Sequence, residues 1–410
     1  MLSELRTLDR NQWSAVIASF LGWTLDAFDF FLMVFMVKAI ATEFGTDAKT
    51  VSWAVTLTLA ARPFGALLFG WLADKFGRRP ILMIDILLFS VLEFASAFAP
   101  TLVTLIIIRT LFGFAMGGEW GIGASLVMES IPPRTRGIIS GLLQEGYAVG
   151  YLLAAVVYYF LLFDTIGWRG MFMVGVAPAL LVLLIRIHVK ESPVFEAQRG
   201  KKRANPVAEL LRYWKIALYM IVLMAAFNAF SHGTQDLYPT FLQQQHHYDT
   251  HTTGILTAIM NLGAIVGGIG FGIWSERLGR KRAIIIASIL ALPVIPLWAF
   301  ASTPLLLAIG AFLMQVAVQG AWGVVPVHLN ELSPPAARAL FPGFAYQLGN
   351  LIMSKNAVFQ AQIAESHGNN YGLALAIFGG SMAVVIVVWT AFGPERKEAD
   401  FVADARAAET

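Results

Sequence analysis

Runs of about 20 predominantly apolar residues follow one another along the 410-residue chain, centred near residues 25, 62, 90, 116, 150, 178, 228, 263, 292, 318, 351 and 381. Each is long enough to cross a bilayer as a helix. Lipid cannot satisfy an open strand edge, so the expected fold class is all-α: an integral membrane bundle of twelve transmembrane helices. Charged residues make up only 13% of the chain, and the mean hydropathy is +0.67. A soluble domain carries about 25%, so much of this surface must face something other than water. The first run, from Trp13 to Val37, is too long for a signal-peptide core and holds Asp26 and Asp29. No cysteine is present, which excludes disulfides and thiolate metal sites.

The net charge of +3 does not point to nucleic acid, because the basic residues sit in the loops. One set of loops holds Lys75, Arg78, Arg79, Arg134, Arg136, the 190–213 stretch, Arg277, Arg280, Lys281, Arg282 and Arg338, whereas the opposite set holds few cations, such as Lys49 and Arg169. The positive-inside rule then predicts cytoplasmic termini and an integral plasma (inner) membrane location. The expected domains are a six-helix half over 1–189, a cytoplasmic linker over 190–213, a second half over 214–393, and a charged, flexible tail over 394–410. The linker has room for a short amphipathic helix.

The halves repeat each other. "GWLADKFGRR" begins at Gly70 and "GIWSERLGRK" at Gly272, 202 residues on. Trp120, Glu129, Pro132 and Arg136 are echoed by Trp322, Glu331, Pro334 and Arg338 at the same offset. A fixed offset over separated motifs argues for duplication of a six-helix unit. Six helices return the chain to its starting side, so the halves are parallel repeats, as in transporters with a midplane site between halves. The loop motif at Gly70–Arg79, its echo at Gly272–Lys281, and the Arg109, Gly113, Gly117 spacing resemble the major facilitator superfamily. That resemblance covers nearly the whole chain and implies alternating access by rocking of two halves. A latch is expected from Asp74, Arg78, Arg79, Glu129, Arg136, Glu276 and Arg280, with Asp74 accepting from a helix N-terminus, Arg78 and Arg79 pairing with carboxylates across the loop, and Glu129 and Arg136 as further members of that network. Arg109 is placed with these gating residues.

Ionisable residues inside a membrane default to functional hypotheses. Those in mid-span are Asp26, Asp29, Arg62, Asp85, Glu93, Arg109, Glu119, His232, Asp236, His328 and Lys355. Asn228, His232, Gln235 and Asp236 fall at i, i+4, i+7 and i+8, one helix face. His232 and Asp236 can share a proton-sensitive hydrogen bond; a polar seam holding helix seven is the alternative. Subtracting 202 from Asn228 and Ser231 gives Asp26 and Asp29, so helix one faces the same cavity.

The pattern N-x-x-[ST]-H-x-x-Q-D-x-x-x-T, filled by Asn228, Ser231, His232, Gln235, Asp236 and Thr240, resembles the fungal-type lactate permeases within the sialate:proton symporter family. "GWTLDAFDFF", "GYAVGYLLA" and "AYQLGN" are similar too. Lys355 departs from that likeness. The resemblance implies proton symport of a small monocarboxylate such as lactate or pyruvate, with sialic acid as the alternative cargo. A carboxylate needs a cation, and Arg62 can hold one bidentately. Arg109 is its rival, and neutralising Asp26 or Asp29 is its bland role. Tyr147, Gln347 and Asn350 are candidate hydrogen bonders to substrate. Asp26, Asp29, His232 and Asp236 are the expected proton-coupling groups. No cofactor beyond the coupling proton is expected, and no nucleic-acid partner. The lipid bilayer and a small carboxylate are the expected partners, and the expected state is a monomer. The cluster His246, His247, Asp249 and His251 lacks a metal-binding pattern. No catalytic triad or nucleotide loop suggests an enzyme.

Overall fold

The computed structural model describes residues 4–158, 163–197 and 205–407. Its main rods are α1 (Arg10–Glu43), α2 (Ala48–Phe76), α3 (Arg78–Ser96), α4 (Leu102–Ser130), α5 (Pro133–Val156) and α6 (Phe163–Val174 with Val176–Ile187). The second half follows with α7 (Trp214–Gln244), α8 (Thr250–Leu278), α9 (Arg280–Ala299), α10 (Pro304–Leu332), α11 (residues 340–366, interrupted after Ile352) and α12 (Tyr371–Phe392). Among the described residues, nine of these stretches are long and apolar enough to cross a membrane outright. The other three, α3, α6 and α11, are interrupted or carry several charged residues. The twelve rods match the twelve expected spans.

The duplication reaches down to the capping chemistry. Asp47 accepts from the Thr50 N–H at 2.7 Å to start α2, and Asp249 accepts from the Thr252 N–H at 3.1 Å to start α8. Thr101 and Thr303 cap α4 and α10 in the same way. Each side-chain oxygen satisfies an N–H the helix leaves free. Each pair stands 202 residues apart. Gly77 (φ 116°) and Gly279 (φ 89°) make the tight links α2–α3 and α8–α9, in backbone that favours glycine. The N-terminus of α3 is then covered by Glu191, which accepts from the N–H groups of Arg78 at 3.1 Å and Arg79 at 3.2 Å. Burial pushes the Glu191 carboxyl above its usual range, and those N–H bonds oppose the shift.

The Gly70–Arg79 loop and its echo lie at one end of the bundle, called here the basic face. The two halves meet there. Helix α2 packs on the start of α11, and α5 packs on α8. A methyl group on Gly121 would lie 2.6 Å from the Gly343 Cα, so α4 and α11 touch backbone to backbone. The loop stretch between halves holds two short helices, Pro193–Ala197 and Pro206–Arg212; residues 198–204 lie outside the described residues.

The tail departs from the expected flexible segment. Residues Phe401–Ala407 form a helix, and Phe401 is buried. The Phe401 ring sits between two guanidiniums, Arg136 at 3.6 Å and Arg338 at 3.8 Å. These arginines are duplicates of one another and belong to different halves. An aromatic ring between two cations explains why a charged tail folds back.

Candidate functional site

Two structures bear on transport: the contacts that close the basic face, and the polar centre above them. At the basic face, each half uses an acid to cap a helix of the other. Asp74 accepts from the N–H groups of Ala339 at 3.0 Å and Leu340 at 2.9 Å, at the start of α11. Its duplicate Glu276 accepts from the N–H of Gly137, at the start of α5. An acid at a helix N-terminus gains from both the free donors and the dipole. Arg78 holds Asp74 at 3.0 Å and Glu129 at 2.9 Å. Arg280 holds Glu276 at 3.1 Å and forks onto Glu331 at 3.0 and 3.1 Å. Arg79 turns away and donates to the Ile187 carbonyl at 2.7 Å.

One latch expectation needs correction, that of Arg109, whereas Glu129 joins the network through Arg78 at 2.9 Å. Arg136 donates to the carbonyls of Met128 and Ala399 while stacking on Phe401, and Glu129 also faces Arg338 of the other half at 3.7 Å. Arg109 stands apart from this network. It is fully buried in the wall of the first half, paired with Glu93 at 2.5 Å and stacked on Phe112 at 3.8 Å.

Above the latch lies an aromatic floor shared by both halves. Trp120 and Tyr346 approach to 4.7 Å, Trp23 and Tyr346 to 5.9 Å, and Trp322 and Tyr346 to 5.8 Å. Trp120 and Trp322 are again duplicates. Tyr147 joins through Trp23 at 5.7 Å. Beside this floor Arg62 pairs with Asp26 at 2.9 Å, with both side chains sealed from solvent, and its guanidinium lies 5.5 Å from the Phe30 ring centre. Among the described residues, Arg62 Nε and Asp26 Oδ2 have no hydrogen-bond partner. Tyr346 lies within electrostatic range of both Arg62 and Asp26.

The second half supplies His232 and Asp236. The His232 Nδ1 lies 3.2 and 3.3 Å from the Asp236 carboxylate oxygens, as the one-turn spacing requires. Their side chains are 36% and 43% accessible, so the pair is open to protons from solvent. Asp236 lies within electrostatic range of Tyr147 on the opposite half. Gln347 is buried with both amide atoms unpartnered, and Asn350 is half-buried. Lys355 is exposed where α11 breaks.

Other expected site residues are used differently. Asp29 does not share Asp26's cavity. It is buried against Glu93, close to Gly175 of α6, with neither oxygen hydrogen bonded. Three residues along a helix turn the side chain about 60° from alignment, and here that turn points Asp29 into the first half. Asn228 donates to the Met224 carbonyl at 2.8 Å on its own helix. Gln235 donates to Ser231 at 3.0 Å and to Gln315 at 3.2 Å. It therefore faces α10, as the seam reading has it. The histidine loop is occupied structurally: His246 packs on Phe241 at 4.8 Å, and Asp249 is a helix cap.

Sequence reasoning missed several participants. Gln315 and Gln319 on α10 bond Gln235 or Ser231; their i, i+4 spacing in an apolar run was a readable signal. Arg186, which holds Glu119 at 3.3 Å, lies so near a span end that it reads as a loop cation. Tyr346 carries no sequence signal beyond its place in "AYQLGN".

Comparison with known proteins agrees with this architecture. A family model described as Major Facilitator Superfamily matches residues 13–249, and one described as Sugar (and other) transporter matches residues 205–395. A carboxylic acid transporter protein homolog of Saccharomyces cerevisiae is 27% identical over 436 residues, covering 97% of this chain and 71% of that one. The sialic acid transporter NanX of Escherichia coli is 28% identical, covering 90% of each. Among solved structures, the proton:xylose symporter XylE from E. coli, bound to 6-bromo-6-deoxy-D-glucose, matches with a TM-score of 0.81 at 21% identity. That match covers 97% of this chain and 98% of the other, and it shows the fold. With twelve rods in two duplicated halves, a shared latch and a polar centre between them, the chain belongs to the Major Facilitator Superfamily and is a transporter, not an enzyme.

Proposed function

We propose that this protein imports a small monocarboxylate, such as lactate or pyruvate, together with a proton by alternating access. The basic face is the cytoplasmic one in this reading, and the contacts between halves hold it closed. One observation carries the proposal. A sealed arginine, Arg62, stands beside the aromatic floor with an internal carboxylate as its partner. Such a pair can exchange the internal carboxylate for that of a substrate, because arginine binds both with the same fork. The names of the relatives support an acid as cargo.

The steps follow from charge. From outside, a proton loads Asp26 or the accessible His232–Asp236 pair. Protonation of Asp26 releases Arg62, and the substrate carboxylate docks in its place. Tyr147, Gln347 and Asn350 fix the hydroxyl or keto group in this scheme, with the Gln347 amide free to do so. Asn228 and Gln235 shape the wall. One anion and one proton move no net charge, so a negative interior does not oppose entry. The halves then rock, the latch opens and both leave. No further cofactor is needed, and a monomer suffices.

Sialic acid is the second reading, favoured by the NanX likeness. It is much larger than lactate, and the floor of Trp23, Trp120, Tyr147 and Tyr346 leaves the site narrow. Purified protein in liposomes decides between them. With an acidic exterior, lactate should accumulate and unlabelled pyruvate should block it, whereas sialic acid should not. Sialic acid uptake without lactate uptake would overturn the cargo and leave the fold.

A further inference from the structure

The latch and the polar centre account for most buried ionisable groups, but not for Glu145. It is 6% exposed, midway along α5 and on the surface where the halves meet. Its carboxylate reaches across to α8 and rests on Gly268, so closely that any side chain at that position would collide with Oε1. Below it the seam is lined with glycines. Gly141 abuts the Gly268 carbonyl, Gly137 abuts the Gly272 carbonyl, and Gly323 of α10 meets Gly268 from the other side. Glu145 is thus the top of a tight α5–α8 seam between the two halves.

No described residue forms an ion pair or hydrogen bond with this carboxyl. The charged and titratable groups on the elements packed around it are all elsewhere. On α5, Arg136 lies nine residues earlier and is held by Met128, Ala399 and Phe401. On α8, Glu276 lies eight residues past Gly268, beside Arg280. On α10 the neighbour is the Gln319 carbonyl, and His328 is nine residues on, beside Tyr219. On α1, Asp26 is paired with Arg62.

We infer that Glu145 links protonation to closure of the basic face. A bare carboxylate in a dry seam costs several kcal/mol, and without a cation the group enters the seam carrying its proton. When the halves part, α5 leaves α8, water reaches Glu145 and the proton departs. The role belongs to conformational coupling; Glu145 does not touch substrate. It deepens the proton-coupled reading above but does not depend on the identity of the cargo.

The test therefore needs no cargo. The chain has no cysteine, so Lys75→Cys and Arg277→Cys on the basic face can carry a pair of spin labels, one on each half. In bilayer nanodiscs the distance distribution is measured from acidic to alkaline pH. The short distance should dominate at acidic pH, and the long one should grow as pH rises. In Glu145→Gln, which is neutral at every pH, the short distance should persist throughout. An unchanged pH curve in Glu145→Gln, or a wild-type distance that ignores pH, would overturn the inference. If Glu145→Gln does not insert, Glu145→Asp serves instead. Its shorter side chain withdraws from Gly268 and should displace the pH curve, and an undisplaced curve counts against the inference. A failed lactate assay alongside a pH-dependent distance would reject the cargo and leave the inference standing.

Discussion

At the scale of single residues, the described part of the first half holds three buried pairs away from the latch: Arg62–Asp26, Arg109–Glu93 and Arg186–Glu119. Asp29 and Asp85 have no hydrogen-bond partner among the described residues. Breaking a buried pair by removing one member costs about 3–5 kcal/mol, because the other charge is stranded. Arg62→Gln should therefore lose both lactate binding and stability. Arg62→Gln with Asp26→Asn should regain much of the stability but not the binding, which separates Arg62's role toward substrate from its role toward Asp26. Thermal unfolding and equilibrium binding read the two effects; lactate affinity near wild type in the double variant would place the anion site elsewhere. The pair spacing of His232 and Asp236 was legible in the sequence because helix geometry alone sets it. The separation of Asp26 from Asp29 was not. Both lie within about 60° on one helix, and only the packing of α3, α4 and α6 decides which cavity each one enters.

At the scale of elements, the latch is a pair of helix caps exchanged between halves. Asp74 supplies both carboxylate oxygens to the start of α11. Hydrogen bonds to charged groups contribute about 1.5–3 kcal/mol each. Asp74→Asn keeps one acceptor, loses the charge and should shift the balance toward the open basic face by about tenfold or more. The tail works on the same equilibrium. Phe401→Ala removes two cation–π contacts worth about 0.5–1 kcal/mol each. Maleimide labelling of Ser140→Cys, buried in the α5–α10 contact, reports opening in both cases. Faster labelling is expected in each variant, and rates equal to the parent would show that these contacts do not hold the face closed. The Asp74 motif was readable because it occurs twice at one offset. The tail was not, because Phe401 acquires its partners only when Arg136 and Arg338, 202 residues apart, are brought together by the fold.

At the scale of the whole molecule, one duplicated unit explains caps, turns, latch and aromatic floor. What differs between the copies is the polar centre. The first half places the Arg62–Asp26 pair there, and the second places His232 and Asp236. This asymmetry fits the symport proposed above, which assigns the anion to Arg62 and a proton-sensitive role to His232 and Asp236. The spans, the repeat and the helix-seven face could all be read from the chain, since period and offset are local properties. Gln235's turn toward α10 could not, since it depends on Gln315 across a helix interface. The central claim is that substrate and proton cross together. The most direct measurement is the external pH of a weakly buffered suspension of proteoliposomes when lactate is added, with the membrane potential clamped. The account predicts alkalinisation that tracks lactate entry and is independent of the clamped potential. Lactate entry with no proton uptake, or uptake driven by the potential alone, would contradict it.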